Sequence, residues 1–386
     1  MTGPTTDRTP GPISAVSAFD TDAMLADLAE LVTCESFSAD LAAVARSAEV
    51  VAAQGARLLG AQPRRIVLEG VTHLQWTFGT PRVLLVGHHD TVWPMGSLTT
   101  HPWSVRDGIA RGPGCFDMKA GLVQIFHALA SLDSLDGIGV LITGDEEVGS
   151  TSSRGLIEDA ARGCAATFVL EASADGGALK TARKGGSQYE LVVHGKAAHA
   201  GLEPEKGINA AIEAAHLVLA LDGLADVVDE GATGDWRTTV TPTVVRAGAV
   251  SNTVPPHAAV TVDVRVPTRK AQDRVDELIR ALPTTVPGAR VEVSGGANRP
   301  PLEDASSRAL FDLAGLTAAH LGLPPLRSAA VGGASDGNFT AGVGCPTLDG
   351  LGAVGGGAHA DHEHVIVAEL APRTALLAGL IDAVRR

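Results

Sequence analysis

Two rhythms of apolar and polar positions run along the chain. In the first, apolar residues recur at three- and four-residue spacing from about Asp22 to Val32 and from Leu41 to Leu59, which predicts two helices. VLLVGHHD at 83–90 is then a compact β-branched run, AGLVQIFHALASL at 120–132 has helical period, and GVLITGDEE at 139–147 and ATFVLEAS at 166–173 repeat the strand-like form. Uninterrupted apolar strands alternating with helices predict an α/β fold, a mixed but largely parallel sheet covered by helices on both faces. In such sheets chemistry gathers beyond the carboxyl ends of the strands. The charged residues of these three runs fall there.

The second rhythm occupies 185–296. SQYELVVHG reads as a strand, GINAAIEAAHLVLALDGLADVV as one long helix, and RTTVTPTVVRAG and AAVTVDVRVP as two strands, followed by the helix KAQDRVDELIRAL and the strand ARVEVSG. The order β-α-β-β-α-β is that of a ferredoxin-like unit able to stand as a small α+β domain. Helical period resumes at Ser306–Leu321, and a Gly-rich stretch leads to a final helix near Ala368–Val384. The expected organisation is a loose Pro/Thr/Gly leader at 1–20, a discontinuous body at 21–184 and 297–386, and an insertion at 185–296.

A length of 386 residues suits two domains. Acidic residues outnumber basic ones 44 to 30, a formal charge of −14 that argues against a general nucleic-acid binder, because such proteins neutralise phosphates with a basic surface. The first twenty residues hold three prolines and no apolar core of a signal peptide, and no run of 18 or more apolar residues suggests a membrane span. Cys34, Cys115, Cys164 and Cys345 lie far apart without C-x-x-C pairing, so reduced, mostly buried thiols in a soluble cytoplasmic protein are expected.

Several polar groups cluster after the apolar runs. His88-His89-Asp90 closes the first, and Asp90 is placed to orient the His88 imidazole as in many metal-binding histidines, although a metal-free buried pair fits that motif as well. Asp117, in GPGCFDMKAG, precedes a helix and reads either as an N-cap or as a ligand. Glu146 and Glu147 follow the second run, and Glu171 follows the third directly, where a buried, unpartnered carboxylate would be costly. His359 stands after three glycines in VGGGAHADHEH, with His362 and His364 read as non-ligands. Two histidines and several carboxylates form an N/O donor set suited to zinc, with cobalt or manganese as alternatives.

Taken together, GHHDTVWP, GPGCFDMKAGL, TGDEEVGS, VLEAS, GKAAHAG, GGASDGNF and GGGAHADHE resemble the co-catalytic zinc aminoacylase/carboxypeptidase family, and ESFSAD at 35–40 with GGASDGNFTA at 332–341 is most similar to its glutamate carboxypeptidase branch. The resemblance spans nearly the whole chain after the leader. It implies two zinc ions per subunit bridged by Asp117, with His88 and Glu171 completing one set and Glu147 and His359 the other. Glu146 would be the general base toward a metal-acidified water, and Asp90 the partner of His88. The insertion would be a lid and dimerisation domain whose His199, in GKAAHAG, serves the partner subunit's site as an oxyanion donor. Arg299, with Arg265 as a second candidate and the backbone of Gly356 and Gly357, would hold the substrate carboxylate. Where glutamate carboxypeptidases carry an asparagine, this chain has Thr241, whose shorter side chain alters the substrate contact. Trp93, Trp103 and His127 are read as core residues, with an acyl pocket as the alternative role.

The implied activity is cleavage of an amide next to a free carboxylate, releasing a glutamate-like amino acid from a small N-acyl amino acid or short peptide. Deacylation of an acetyl- or succinyl-amino acid is the sibling reading. A non-catalytic binder on the same fold would not require Glu146 beside a full ligand set.

Overall fold

The computed structural model describes residues 16, 18–229, 234 and 236–385, so most of the anticipated 1–20 leader lies outside the described residues. The chain divides into two compact units. The first runs to Ala182 and resumes at Asp304–Val331 and from Ser335, and the second comprises Arg183–Glu303 with Gly332–Ala334. The second unit reaches beyond 296 because its last strand continues to Arg299, and Arg183 and Leu302 then close its two ends with paired backbone hydrogen bonds of 2.9 and 3.1 Å.

The first unit is built on a six-stranded mixed sheet. Its strands Val83–His88, Ile138–Thr143, Ala166–Val169 and Thr347–Leu348 are parallel, and Arg64–Leu68 and Val71–Phe78 add an antiparallel edge. Alternate side chains of a strand point to opposite faces. Val83, Leu85, Ile138 and Val140 therefore enter one cluster with Met24, Phe126 and Leu377, while Leu84, Val86 and Leu141 pack with Ile157 and Phe339 on the other side. This double burial is why the central strands read as continuous apolar runs.

The antiparallel hairpin is absent from the expected element list. Its turn, Glu69-Gly70, has φ of 51° and 84°, the two left-handed positions of a type I′ hairpin, and a flanking Glu-Gly between RIVL and VTHLQWTF is a weak form of the usual Asn-Gly signal. The central strands also stop earlier than their apolar runs suggest. The 83–90 run leaves the sheet after His88, as the 139–147 run does after Thr143, and His89 N–H donates to Thr143 O at 2.9 Å where the two strands part.

The second unit is an antiparallel four-stranded sheet in the order Thr239–Ala247, His257–Val266, Gly185–His194, Arg290–Arg299. Tyr189, Leu191, Val193, Val260, Val262 and Val264 meet the helices on one face. The single helix anticipated over 207–228 is two, Ala210–Asp222 and Leu224–Val228. Asn209 starts the first by accepting the Ala211 and Ile212 amides on its side chain, and Gly223, a poor helix former, ends it. Among the described residues no helix is long and apolar enough to cross a membrane.

Candidate metal centre

Three parallel strands deliver their ends to one place. His88 is the last residue of its strand, Glu171 follows Val169 by two residues, and Glu147 sits in the short helical turn Glu146–Val148 beyond Thr143. Asp117 lies in the irregular segment Cys115–Lys119 ahead of the helix Ala120–Ala130, and the Asp117–Met118 peptide bond is cis. His359 occupies the loop between Gly355–Gly356 and His364–Ile366.

These five side chains form two groups that share Asp117. His88 Nε2 is 3.5 Å from Asp117 Oδ1 and 3.5 Å from Glu171 Oε1. On the other side His359 Nε2 is 3.3 Å from Asp117 Oδ2 and 3.2 Å from Glu147 Oε2. Neighbouring ligand atoms around a tetrahedral zinc ion with bonds of 2.0–2.2 Å are separated by about 3.3–3.6 Å, so both spacings fit a divalent cation. Two buried atoms, His88 Nε2 and Glu147 Oε1, meet no hydrogen-bond partner, which is costly unless an ion takes that place.

The electrostatics point the same way. Burial disfavours a charged His88, yet Asp117, Asp90 and Glu171 outweigh it and raise the imidazole pKa well above its usual value. Asp117, followed by Glu147, raises His359 to about 10. Against the upward push of burial, His359 and His88 hold the Asp117 carboxyl well below the usual carboxylate range. Without cations, protons on the two imidazoles offset part of this cluster's negative charge, and metal ions would replace them. His359 also has φ of 62°, a left-handed backbone that a non-glycine residue adopts at a cost.

The surroundings explain how the ligands are held. His88 Nδ1 meets the main-chain oxygen of Asp90 at 3.0 Å, while the Asp90 carboxylate stands 3.5 Å away. That fully buried carboxylate instead accepts the backbone N–H of Glu146 at 3.3 Å and of Glu147 at 3.2 Å, and the Ser38 hydroxyl at 2.7 Å. Asp90 thus orients the imidazole through its carbonyl and the paired glutamates through its side chain. Asp145 accepts the Ser152 amide at 2.8 Å and the Ser152 and Ser153 hydroxyls, and Asp336, from GGASDGNF, accepts Thr143 and Ser150 hydroxyls. The loop bearing Glu146 and Glu147 is stapled at both ends.

Asp117 is not a helix cap: the cap position is Lys119, which makes no side-chain cap bond. Its buried ammonium donates to Leu31 O and Cys34 O, and burial lowers its pKa to about 8. Gly352 and Gly357 have steric reasons to be glycine. A Cβ on Gly352 would lie 2.2 Å from Leu170 O, beside Glu171, and one on Gly357 would lie 2.9 Å from Glu363 N, in the His359 loop. Gly356 pairs with His364 across that loop's small sheet. His362 is exposed, and neither it nor His364 joins a metal-capable group among the described residues.

His127 binds Asp27 at 2.8 Å away from these groups. Trp103 packs against the main core, and both it and Trp93 line a cavity of ≈ 320 Å³. Trp93 donates to Glu363, a buried residue that sequence reasoning passed over.

His199, Arg265, Thr241 and Arg299 belong to the second unit. His199 Nδ1 accepts the Gly201 and Leu202 amides, each at 3.2 Å, so the neutral ring carries its proton on Nε2. Arg265 forms a two-point pair with Asp263 at 3.0 and 2.9 Å, which engages the guanidinium. Thr241 lies opposite Asp263 on the edge strand. Arg299 is 7% exposed, at the end of its strand.

The profile of peptidase family M20/M25/M40 matches residues 84–383. Carboxypeptidase G2 of Pseudomonas sp. (strain RS-16) is 32% identical over 315 residues, covering 78% of this chain and 74% of that protein. A succinyl-diaminopimelate desuccinylase of Bradyrhizobium sp. is 28% identical over 330 residues, covering 78% and 83%. Among solved structures, aminopeptidase PepT from Bacillus cereus shares the fold with a TM-score of 0.76 at 23% identity, covering 95% of this chain and 99% of that one.

Proposed function

The chain belongs to peptidase family M20/M25/M40, and from that premise we propose that it is a dinuclear metallo-carboxypeptidase releasing a glutamate-like C-terminal amino acid. The observation that carries this reading is the division of Asp117 between two ligand groups, one oxygen to each. His88, Asp117 and Glu171 would hold one ion and Asp117, Glu147 and His359 the other. Zinc suits the N/O set, with cobalt or manganese as substitutes. Bound there, two divalent ions supply Lewis acidity and lower the pKa of a water in the site.

The chain's own residues do the rest. Glu146 takes the water's proton and returns it to the leaving amine, while Asp90 fixes the backbone from which Glu146 projects. His199 offers Nε2–H to the developing oxyanion. Arg299, as a planar two-point donor, holds the free carboxylate, with the Gly356-Gly357 backbone as a further donor. Arg265, which pairs with Asp263, is the second candidate.

We infer a homodimer formed through the second unit. Ile212, Ala215, His216, Leu219 and Ala220 share the solvent side of the helix Ala210–Asp222, with Leu219 73% exposed, and the edge strand beside it exposes Val244 and Val245. Four unpaired cysteines support a reducing cytoplasmic location.

The test is a panel of N-acyl and peptidyl amino acids read by amino-acid release, with metal content measured on the same protein. The expected outcome is two ions per chain and turnover of C-terminal glutamate. Glu146→Gln should keep the metal and lose about 10²–10⁴-fold in kcat. The desuccinylase relatives and Thr241 favour a second reading, an acetyl- or succinyl-amino-acid deacylase. Turnover of those substrates with none of C-terminal glutamate would select it.

A further inference from the structure

Four residues beyond His359 the same loop carries Glu363, which is 3% exposed. Its carboxylate meets four donors. Oε1 accepts the backbone N–H of Phe116 at 2.8 Å and of Asp117 at 3.0 Å, and Oε2 accepts Gly114 N–H at 2.9 Å and the Trp93 indole N–H at 2.6 Å. Three of the four belong to the segment that presents Asp117. Within its own loop, Glu363 N–H donates to Ala360 O and Ala360 N–H to Gly357 O, each at 2.9 Å, so the turn around His359 is closed on itself.

One side chain therefore joins the two segments that supply Asp117 and His359. Neither segment belongs to a central strand; His88, in contrast, ends one, and Glu171 and Glu147 lie two and four residues beyond the ends of two others. The irregular backbone at Cys115–Lys119 includes non-helical angles at Asp117 and Met118, so it needs a partner to fix where Asp117 stands.

We propose that Glu363 is a positioning residue for the metal centre, tying the Asp117 backbone to the His359 turn so that Asp117, Glu147 and His359 form one ion site. This rests on the dinuclear reading above. It assigns the effect to that site in particular, because His359 belongs to that group alone, whereas the His88, Asp117 and Glu171 group has two ligands placed by strands. Partners that orient ligands commonly change metal affinity by about 10–100-fold when removed.

The experiment is titration of the metal-free full-length protein with zinc by calorimetry, repeated with cobalt and read by its absorption, for wild type, Glu363→Gln, Trp93→Phe and the double variant. Glu363→Gln presents an amide NH₂ to the N–H donors that Oε2 now accepts. One of two binding events should weaken by about 10–100-fold while the other stays within a few-fold. Trp93→Phe removes one donor and should weaken the same event less. In the double variant, loss of the indole N–H removes one donor-to-donor conflict, so part of the affinity should return. His359→Ala marks which event is which. If Glu363→Gln does not fold, Trp93→Phe and Glu363→Asp carry the same comparison, and equal or absent effects on the two events overturn the proposal. Wild type binding two ions with Glu363→Gln unchanged also overturns it. Wild type binding none sinks the dinuclear reading instead.

Discussion

Carboxylates around both imidazoles of the candidate ligand groups raise their pKa, so both rings are expected to carry a proton in the metal-free protein near neutral pH. A metal ion needs the neutral ring, so loading at pH 7.5 should release about two protons per chain. Calorimetry in buffers of different ionisation enthalpy measures this, and a heat independent of buffer would contradict it. The same shift has a consequence for stability without metal. The folded-state pKa of His359 lies above the unfolded value of about 6.5, so its ion pairs contribute fully below that pH and the contribution is lost as pH rises through about 10. The Tm of the metal-free protein should fall across that window by more than that of His359→Asn. At this scale the candidate ligands stand out in the sequence because His88 and Glu171 end apolar runs and Glu147 follows one closely. Glu363 does not, since a glutamate in HADHEH looks like a solvated loop residue until its burial and four donors are seen.

The elements that matter most are the loops between strand ends and helices. Thr143 to Ser153 carries Glu146 and Glu147, and its shape depends on Asp145 reaching forward to Ser152 and Ser153 and on Asp336 bridging Thr143 and Ser150. Asp145→Asn replaces an acceptor oxygen with a donor against hydroxyl and amide groups. It should destabilise the fold by about 1–3 kcal/mol in urea unfolding and lower kcat with metal content retained. Unchanged kcat would mean that the staple does not place Glu146. Strand and helix identity was readable from period, and the α/β body with its largely parallel sheet follows from it. The hairpin Arg64–Leu68 and Val71–Phe78 escaped because its alternation is irregular and its turn is Glu-Gly, and the long helix broke at Gly223 because a periodic pattern does not register a local stop.

At the scale of the whole molecule, the charge of −14 is partly a charge of ligands, and two bound divalent ions would bring it to about −10. Association is the larger question. The helix Ala210–Asp222 is apolar on its exposed side as well as its buried one, so a sequence pattern tuned to find one face underreports the second. Leu219→Glu should convert the proposed dimer to monomers in sedimentation experiments and reduce activity with it. If His199 serves the partner subunit's site, as the family resemblance implies, the outcome is sharper. His199→Ala and Glu146→Gln homodimers should each be inactive. When they are mixed equally and allowed to exchange, half of the dimers are mixed, and each mixed dimer has one complete site, formed by Glu146 of one subunit and His199 of the other. Recovery should therefore approach about one quarter of wild-type activity. If His199 serves its own subunit, both sites of every mixed dimer lack a component, and exchange demonstrated by mass spectrometry would be accompanied by no recovery.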